Sequence, residues 1–339
     1  MRKLATVRVI DQVKAIEGAD RIQAYRLGGW WVVDKINAHN VGDLVVYLEV
    51  DSWVPHELAP FLSKGKEPRE YNGVKGERLK TAKLRGQISQ GIILPVSVVP
   101  DDFVIEGTDC TEVLGIQKYE KPTDRSLSGD AKGTFPSFIS KTDQERAQNL
   151  THDIRGWYHD RMDFEITEKL DGSSCTIYYR DGEIGVCSRN LELKETEGNV
   201  YWYVARKQGL IDLLQELGQN IALQGEVIGP KIQKNQYALD GIRFHLFDVF
   251  DIDTYSFWNP VKRHSFFFEA KEKCNIFHVP ILAVSEMLPS ENVSDLLVLA
   301  EGKSVLNPKV HREGIVMKSN VDAGIYFKAI SNKWLMKNE

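Results

Sequence analysis

The sequence predicts an α+β protein in two parts: a small β-barrel, then an antiparallel-sheet domain that carries helices. Three observations predict this. Residues 1–115 hold short alternating apolar runs broken by turn signals, with no long helical pattern. Residues 116–140 are dominated by Pro, Gly, Ser and charge, the composition of a linker. From 141 to 339, strand-like runs are separated by stretches whose apolar residues recur three and four apart. A chain of 339 residues suits two domains of ordinary size.

In the first part, "LATVRVIDQVKAI" alternates and "IQAYRLGGWWVVDKI" is rich in aromatic and β-branched residues. "VGDLVVYLEVDSWVP" is a buried-strand run after a Gly-Asp turn, and "GQISQGIILPV" is a further short strand. About five short strands with frequent turns suit an OB-fold. Residues 64–87, "KGKEPREYNGVKGERLKTAKLRGQ", form a Lys/Arg-rich strip that reads either as a phosphate-backbone contact or as a solvated loop. In the second part, "NVYWYVARKQG", "LIDLLQELG", "VKRHSFFFEAKEK" and "VSDLLVLAEG" read as helices, and "YYRDGEIGV" reads as a hairpin.

Bulk properties exclude several classes. The net charge of −5 argues against a uniformly basic coat protein, while leaving room for local basic patches. No run approaches the length of a membrane span, and the charged, alternating N-terminus is not a signal peptide. The four cysteines make no C-x-x-C pair, which fits reduced thiols in an intracellular, cytoplasmic or nuclear protein. Neither a P-loop nor a Rossmann glycine pattern is present.

Lys169 stands at the end of a strand-like run, before Asp171-Gly172. An amine attacks phosphorus only when neutral, so it needs desolvation or neighbouring cations to act as a nucleophile. Taken alone, K-x-D-G also suits a surface lysine before a turn. Other charged residues in buried-looking strands shift the balance: Glu226 in "LQGEVIG", Glu313 in "HREGIVMKS" and Lys328 in "GIYFKAIS". "FHLFDVFDID" adds an aromatic strand.

This ordered set, K-x-D-G, S-R-N, G-E, F-D-V-F, E-G-I-V and F-K, resembles the covalent nucleotidyltransferases. Within them it is most similar to the ATP-dependent RNA ligases of the Deinococcus and Naegleria type, which carry an OB domain ahead of the catalytic domain. "LRGQISQGIILP" and "FPSFISKTDQERAQN" look like segments of that branch, so the resemblance spans nearly the whole chain. It implies domains at 1–115 (OB-like) and 141–339 (nucleotidyltransferase), joined by the 116–140 linker. It further implies an enzyme that uses ATP with Mg²⁺ or Mn²⁺ to join RNA ends. AMP is carried on Lys169, and the natural substrate is a nicked duplex.

Residue by residue, the resemblance implies that Asp171, Glu226 and Glu313 hold the metal through its waters. Lys328 contacts the α-phosphate and Phe247 stacks on adenine. Phe244 and Phe250, read as sharing its strand face, compete for that place. Arg189 reaches the ribose or an RNA phosphate, and Ser174 meets the nucleotide or the RNA end. Glu168 offers its backbone to the adenine edge. Lys318 and Arg146 are triphosphate contacts. One departure stands out: such ligases often show K-x-K in the last motif, whereas here Ile330 follows Lys328 and Tyr326 precedes it. Lys333 is too distant to substitute, so Lys328 acts alone or with another cation.

Competing readings are a DNA ligase, a GTP-dependent capping guanylyltransferase, or a non-catalytic OB-fold nucleic-acid binder. The first two usually place an OB domain after the last lysine motif, where this sequence has only a short tail. No obligate protein partner is evident, and a monomer is expected.

Overall fold

The computed structural model describes residues 2–120 and 129–338. The chain divides into two compact units, Met1–Pro122 with Leu335–Glu339, and Thr123–Trp334. No described helix is long and apolar enough to cross a membrane.

The first unit is built from strands and short 3₁₀ turns. Ala5–Val9, Leu44–Leu48 and Ile92–Pro95 form one antiparallel sheet, with Leu44–Leu48 in the middle. Gln12–Ala15, Ile22–Leu27 and Trp30–Lys35 form a second. Arg69–Tyr71 and Val74–Arg78 join Ser52–Pro55 in a third, and Ala82–Leu84 pairs with Gln87–Ser89 as a hairpin. Alternation explains the central strand. Val46 and Leu48 enter one apolar cluster with Val7 and Val54, while Val45 and Tyr47 enter another with Tyr25 and Trp30. A strand covered on both faces must be apolar at every position, as "LVVYL" is.

The second unit holds an eight-stranded and a five-stranded sheet. Ser173–Arg180, Ile221–Ile228 and Arg243–Asp251 lie side by side in the larger sheet. Asp163–Lys169, Gly314–Ser319 and Tyr326–Ile330 lie side by side in the smaller one. Pairing is antiparallel except for two short parallel contacts, Glu145–Arg146 with Tyr326–Ile330 and Phe277–His278 with Arg243–Asp251. Helices Val200–Lys207, Leu210–Leu217 and Pro260–Lys271 pack their apolar faces on the larger sheet. Helices Thr151–His159 and Val293–Ala300 do the same for the smaller sheet.

The four helices expected from periodicity are present. Among the described residues, Thr151–His159 and Asn332–Asn338 are further helices that the periodicity does not predict. The first carries Gly156 in mid-helix and buries only Ile154, so its apolar period is weak. Short strands stand within the expected 116–140 linker. Gln117–Lys118 pairs with Ser52–Pro55, and Ala131–Thr134 pairs with Leu191–Leu193. Its middle, 121–128, lies outside the described residues. Gly and Ser hid the edge strand at 131–134, and that at 117–118 is two residues long, too short to show a period.

Candidate active site

Strand parity builds the site. In Asp163–Lys169, Phe164 and Ile166 face the helices, so Glu165, Thr167 and Lys169 face the other way. In Gly314–Ser319, Ile315 and Met317 join that helix-side core, leaving Val316 and Lys318 on the face of Lys169. In Tyr326–Ile330, Phe327 and Ala329 point to the core and Lys328 to the site face. In Ile221–Ile228 of the larger sheet, Leu223 and Val227 enter the helix-side core and Glu226 lies on the opposite face. An apolar cluster joins Leu170, which directly follows Asp163–Lys169, to Ile228 of the larger sheet and to Tyr237 and Val279, with Phe247 and Leu306 against it.

The amine of Lys169 lies 2.7 Å from Glu313 Oε1. Burial pulls this amine down, but the charges of Glu313, Glu226 and Asp171 outweigh it and hold its pKa above the ordinary value. Burial pushes the Glu226 carboxyl up to about 8, against the opposing pull of Lys169. Three carboxylates thus converge on one amine. The same Glu226 accepts a hydrogen bond from the Gly172 amide at 3.0 Å. A Cβ on Gly172 would meet the Val227 carbonyl at 2.4 Å, so the glycine is required by close strand approach. The Asp171 amide donates to Tyr237 Oη at 2.6 Å, and Gln236 donates to the Asp171 carboxylate at 3.3 Å.

Phe247 occupies a special position. Gly225 pairs with Leu246 and Gln224 with Asp248, so Phe247 is the extra residue of a β-bulge. It is half-buried, whereas Phe244 and Phe250 are fully buried in two separate clusters. Residues three apart on a strand do not share a face, and the reading that grouped these rings is corrected.

Two models of known families match. An RNA ligase model covers residues 162–333, and an OB-fold domain model covers residues 4–96. This chain belongs to the RNA ligase family. The fold agrees along its length. An apo mutant of Naegleria gruberi RNA ligase is 44% identical with a TM-score of 0.93, covering 100% of this chain and 99% of that one. The same Naegleria ligase with PPi is 44% identical with a TM-score of 0.91, covering 100% and 99%. A lysine-to-alanine mutant of it with ATP and Mn is 44% identical with a TM-score of 0.92, covering 99% of each chain. A comparison with curated protein sequences finds no match. The N-terminal unit of this ligase is an OB-fold domain, and its sheet domain is of the nucleotidyltransferase type.

The other expected residues of the ligase fall into three groups. Asp143 Oδ1 lies 3.8 Å from both Lys328 Nζ and Arg189 Nη2, which brings these two cations to one oxygen. Arg146 is the parallel-register partner of Lys328 and is buried. Ser174 is the register partner of Glu226.

Two expected residues make further contacts. The buried amine of Lys318, expected at the triphosphate, donates to the Phe247 carbonyl at 2.7 Å and to Asp248 Oδ1 at 2.5 Å. These bonds tie the lysine to the bulged strand. Glu168 was expected to matter only through its backbone, yet its buried carboxylate accepts the Val305 amide at 2.7 Å. That bond fixes the loop before Glu313. Lys333, in helix Asn332–Asn338, pairs with Glu301 at 2.9 Å.

Sequence reasoning missed Asp143, Tyr237 and Asp248. Asp143 lay inside a segment that was quoted for the resemblance, and only its position beside two cations reveals its part. Tyr237 carried no signal, because it sits in an irregular loop. Asp248 shared its strand with the phenylalanines and was overlooked beside them.

Proposed function

We propose that this chain is an ATP-dependent RNA ligase that joins 3′-OH and 5′-phosphate ends through AMP carried on Lys169. One observation carries the reading: the Lys169 amine is held 2.7 Å from Glu313 Oε1 among the charges of Asp171 and Glu226. The Naegleria ligase structures include one with ATP and Mn and one with PPi, the reactant and product sides of such a step.

The chemistry follows from the residues. Lys169 Nζ, once neutral, donates its lone pair to the α-phosphorus; a P–N bond forms and the bond to pyrophosphate breaks. Glu313 is the base nearest to the leaving proton. An oxygen of the RNA 5′-phosphate then attacks the same phosphorus and the P–N bond breaks, giving RNA-adenylate and restoring the amine. Finally the 3′-OH attacks the 5′-phosphate and AMP leaves with the bond electrons. Lys328 and Arg189, both beside Asp143, supply positive charge for the phosphates. Arg189 is therefore our candidate for the second cation that the missing K-x-K lysine would have provided. Phe247, projected by its bulge, stacks on adenine; Ser174 and the Glu168 backbone line the nucleotide site, and Arg146 backs the strand of Lys328.

The donor set fits a divalent ion. Asp171, Glu226 and Glu313 are hard oxygen ligands facing one ammonium, and the raised pKa of Glu226 reflects a buried site with excess acid. Mg²⁺ or Mn²⁺, held through water by these three, would lower the amine pKa and neutralise phosphate charge. On this reading the substrate is a nicked RNA duplex, and the enzyme acts as a monomer. It acts within the cell, where its four unpaired cysteines suit a reducing compartment.

The test is incubation with α-labelled ATP and Mn²⁺, followed by denaturing electrophoresis and peptide mapping. Label should sit on Lys169, vanish in Lys169→Ala and be released by pyrophosphate. Label with GTP in place of ATP would move the protein to capping chemistry. Its absence with any nucleotide on folded, AMP-free protein would sink the reading.

A further inference from the structure

The basic strip at 64–87 does not survive folding as one surface. Its middle is neutralised: Lys75 pairs with Glu67 at 2.9 Å, Arg69 with Glu77 at 2.5 Å and Arg78 with Asp51 at 2.5 Å. The hairpin that follows is different. From Leu79 to Pro100 there is no acidic residue, in a chain with 48 of them. Lys83 and Arg85 are exposed on this hairpin.

The hairpin is also rigidly rooted. Thr81, Ser89 and Gln90 at its base are buried. The Gln90 amide donates to the Trp31 carbonyl at 2.8 Å, and its carbonyl accepts from Tyr47 Oη at 3.0 Å. Ser89 Oγ accepts the Val33 amide at 2.9 Å. A Cβ on Gly91 would meet the Leu48 carbonyl at 2.3 Å, so the hairpin's exit strand lies close against Leu44–Leu48. At the tip, Leu84 pairs with Gln87 across a two-residue turn, with Arg85 at φ 48° and Gly86 at φ 86°. Asn or Asp is the usual first residue of such a turn, and arginine is strained there. A strained arginine at an exposed tip points to a use for its charge.

We propose that the hairpin Ala82–Ser89 is the surface through which the OB-fold domain grips the phosphate backbone of the RNA duplex, with Lys83 and Arg85 each neutralising one phosphate. The inference rests on the RNA-joining reading above and names where the substrate is held. A stiff, acid-free prong with two outward cations suits the regular charge of a duplex backbone and carries no base readout.

The experiment compares the full chain with the Lys83→Gln/Arg85→Gly double variant and with Lys75→Gln, a neutralised cation. Binding to a nicked RNA duplex is measured across a salt series. Two lost phosphate contacts should lower the log–log salt slope by about 2, with a roughly tenfold or greater loss of affinity near 0.1 M salt. Lys75→Gln should leave the slope unchanged. An unaltered slope in the double variant, or an equal change in Lys75→Gln, would overturn the proposal. Labelling by ATP alone reports separately on the lysine chemistry, so failure there in the unsubstituted chain bears on the ligase reading instead. If the double variant fails to fold, Arg85→Gly alone, which relieves the turn, carries the same comparison with an expected slope change of about 1.

Discussion

At the scale of single residues, this protein uses parity and space more than unusual chemistry. Gly172 shows the second. Its Cβ would stand 2.4 Å from the Val227 carbonyl, a backbone atom that cannot swing away. Gly172→Ala should therefore cost about 1–3 kcal/mol by overpacking. It should also weaken ATP labelling, because the Gly172 amide contacts Glu226. Thermal unfolding and the label assay check the two effects. The phenylalanines separate in the same way. Phe247→Ala should raise KM for ATP in the labelling reaction with little loss of stability, whereas Phe244→Ala should destabilise by about 3–5 kcal/mol, because Phe244 is fully buried. Lys169, Glu226 and Glu313 were legible in the sequence because each puts a charge where apolar neighbours predict burial. Asp143 was not, because a carboxylate in a polar segment gives no such contrast.

At the scale of elements, strand Arg243–Asp251 carries a second load besides Phe247. His245 is buried on it, and Nδ1 donates to the His278 carbonyl at 3.1 Å. Burial lowers its pKa to about 4 from the usual value near 6.5. The unfolded chain then binds a proton between these values that the folded chain refuses, so His245 costs no stability above pH 6.5 and costs more as pH drops towards 4. His245→Gln should remove up to about 3 kcal/mol of that cost, read from denaturant midpoints at pH 7 and pH 4.5. If the pH dependence in this window is the same with and without His245, the assignment fails. Helices and long strands were predictable because their periods repeat several times. The strands at 117–118 and 131–134 are too short to show a period, and the bulge at Phe247 breaks the period that would have revealed it.

At the scale of the whole molecule, the second unit holds the residues gathered around Lys169, from Asp143 to Lys328, and has its own apolar cores. A chain of residues 129–339 should therefore still accept label from ATP, at a rate within about tenfold of the full protein, and should bind nicked RNA far more weakly. Loss of labelling in a fragment that retains its circular dichroism would show that the OB-fold domain is needed for the lysine chemistry itself. The two-part organisation was legible from the change in texture near the middle of the sequence. The distribution of useful positive charge was legible only in part: Glu67, Glu70 and Glu77 stand among the cations at 69–78 and none stands near 83–85, but which acid pairs with which cation, and the approach of Asp51 to Arg78, come only with folding.

The bulge at Phe247 has a bearing on how such a chain can decay. A ladder with one residue too many becomes regular when that residue is lost. Deleting the codon for Phe247 would let Gly225 and Gln224 face consecutive partners, so the sheet would close without a gap. Most deletions in a central strand announce themselves as unfolded protein. This one would be quiet: a well-folded chain that has lost its purchase on the base, leaving a silent relic that stability measurements alone would pass as intact.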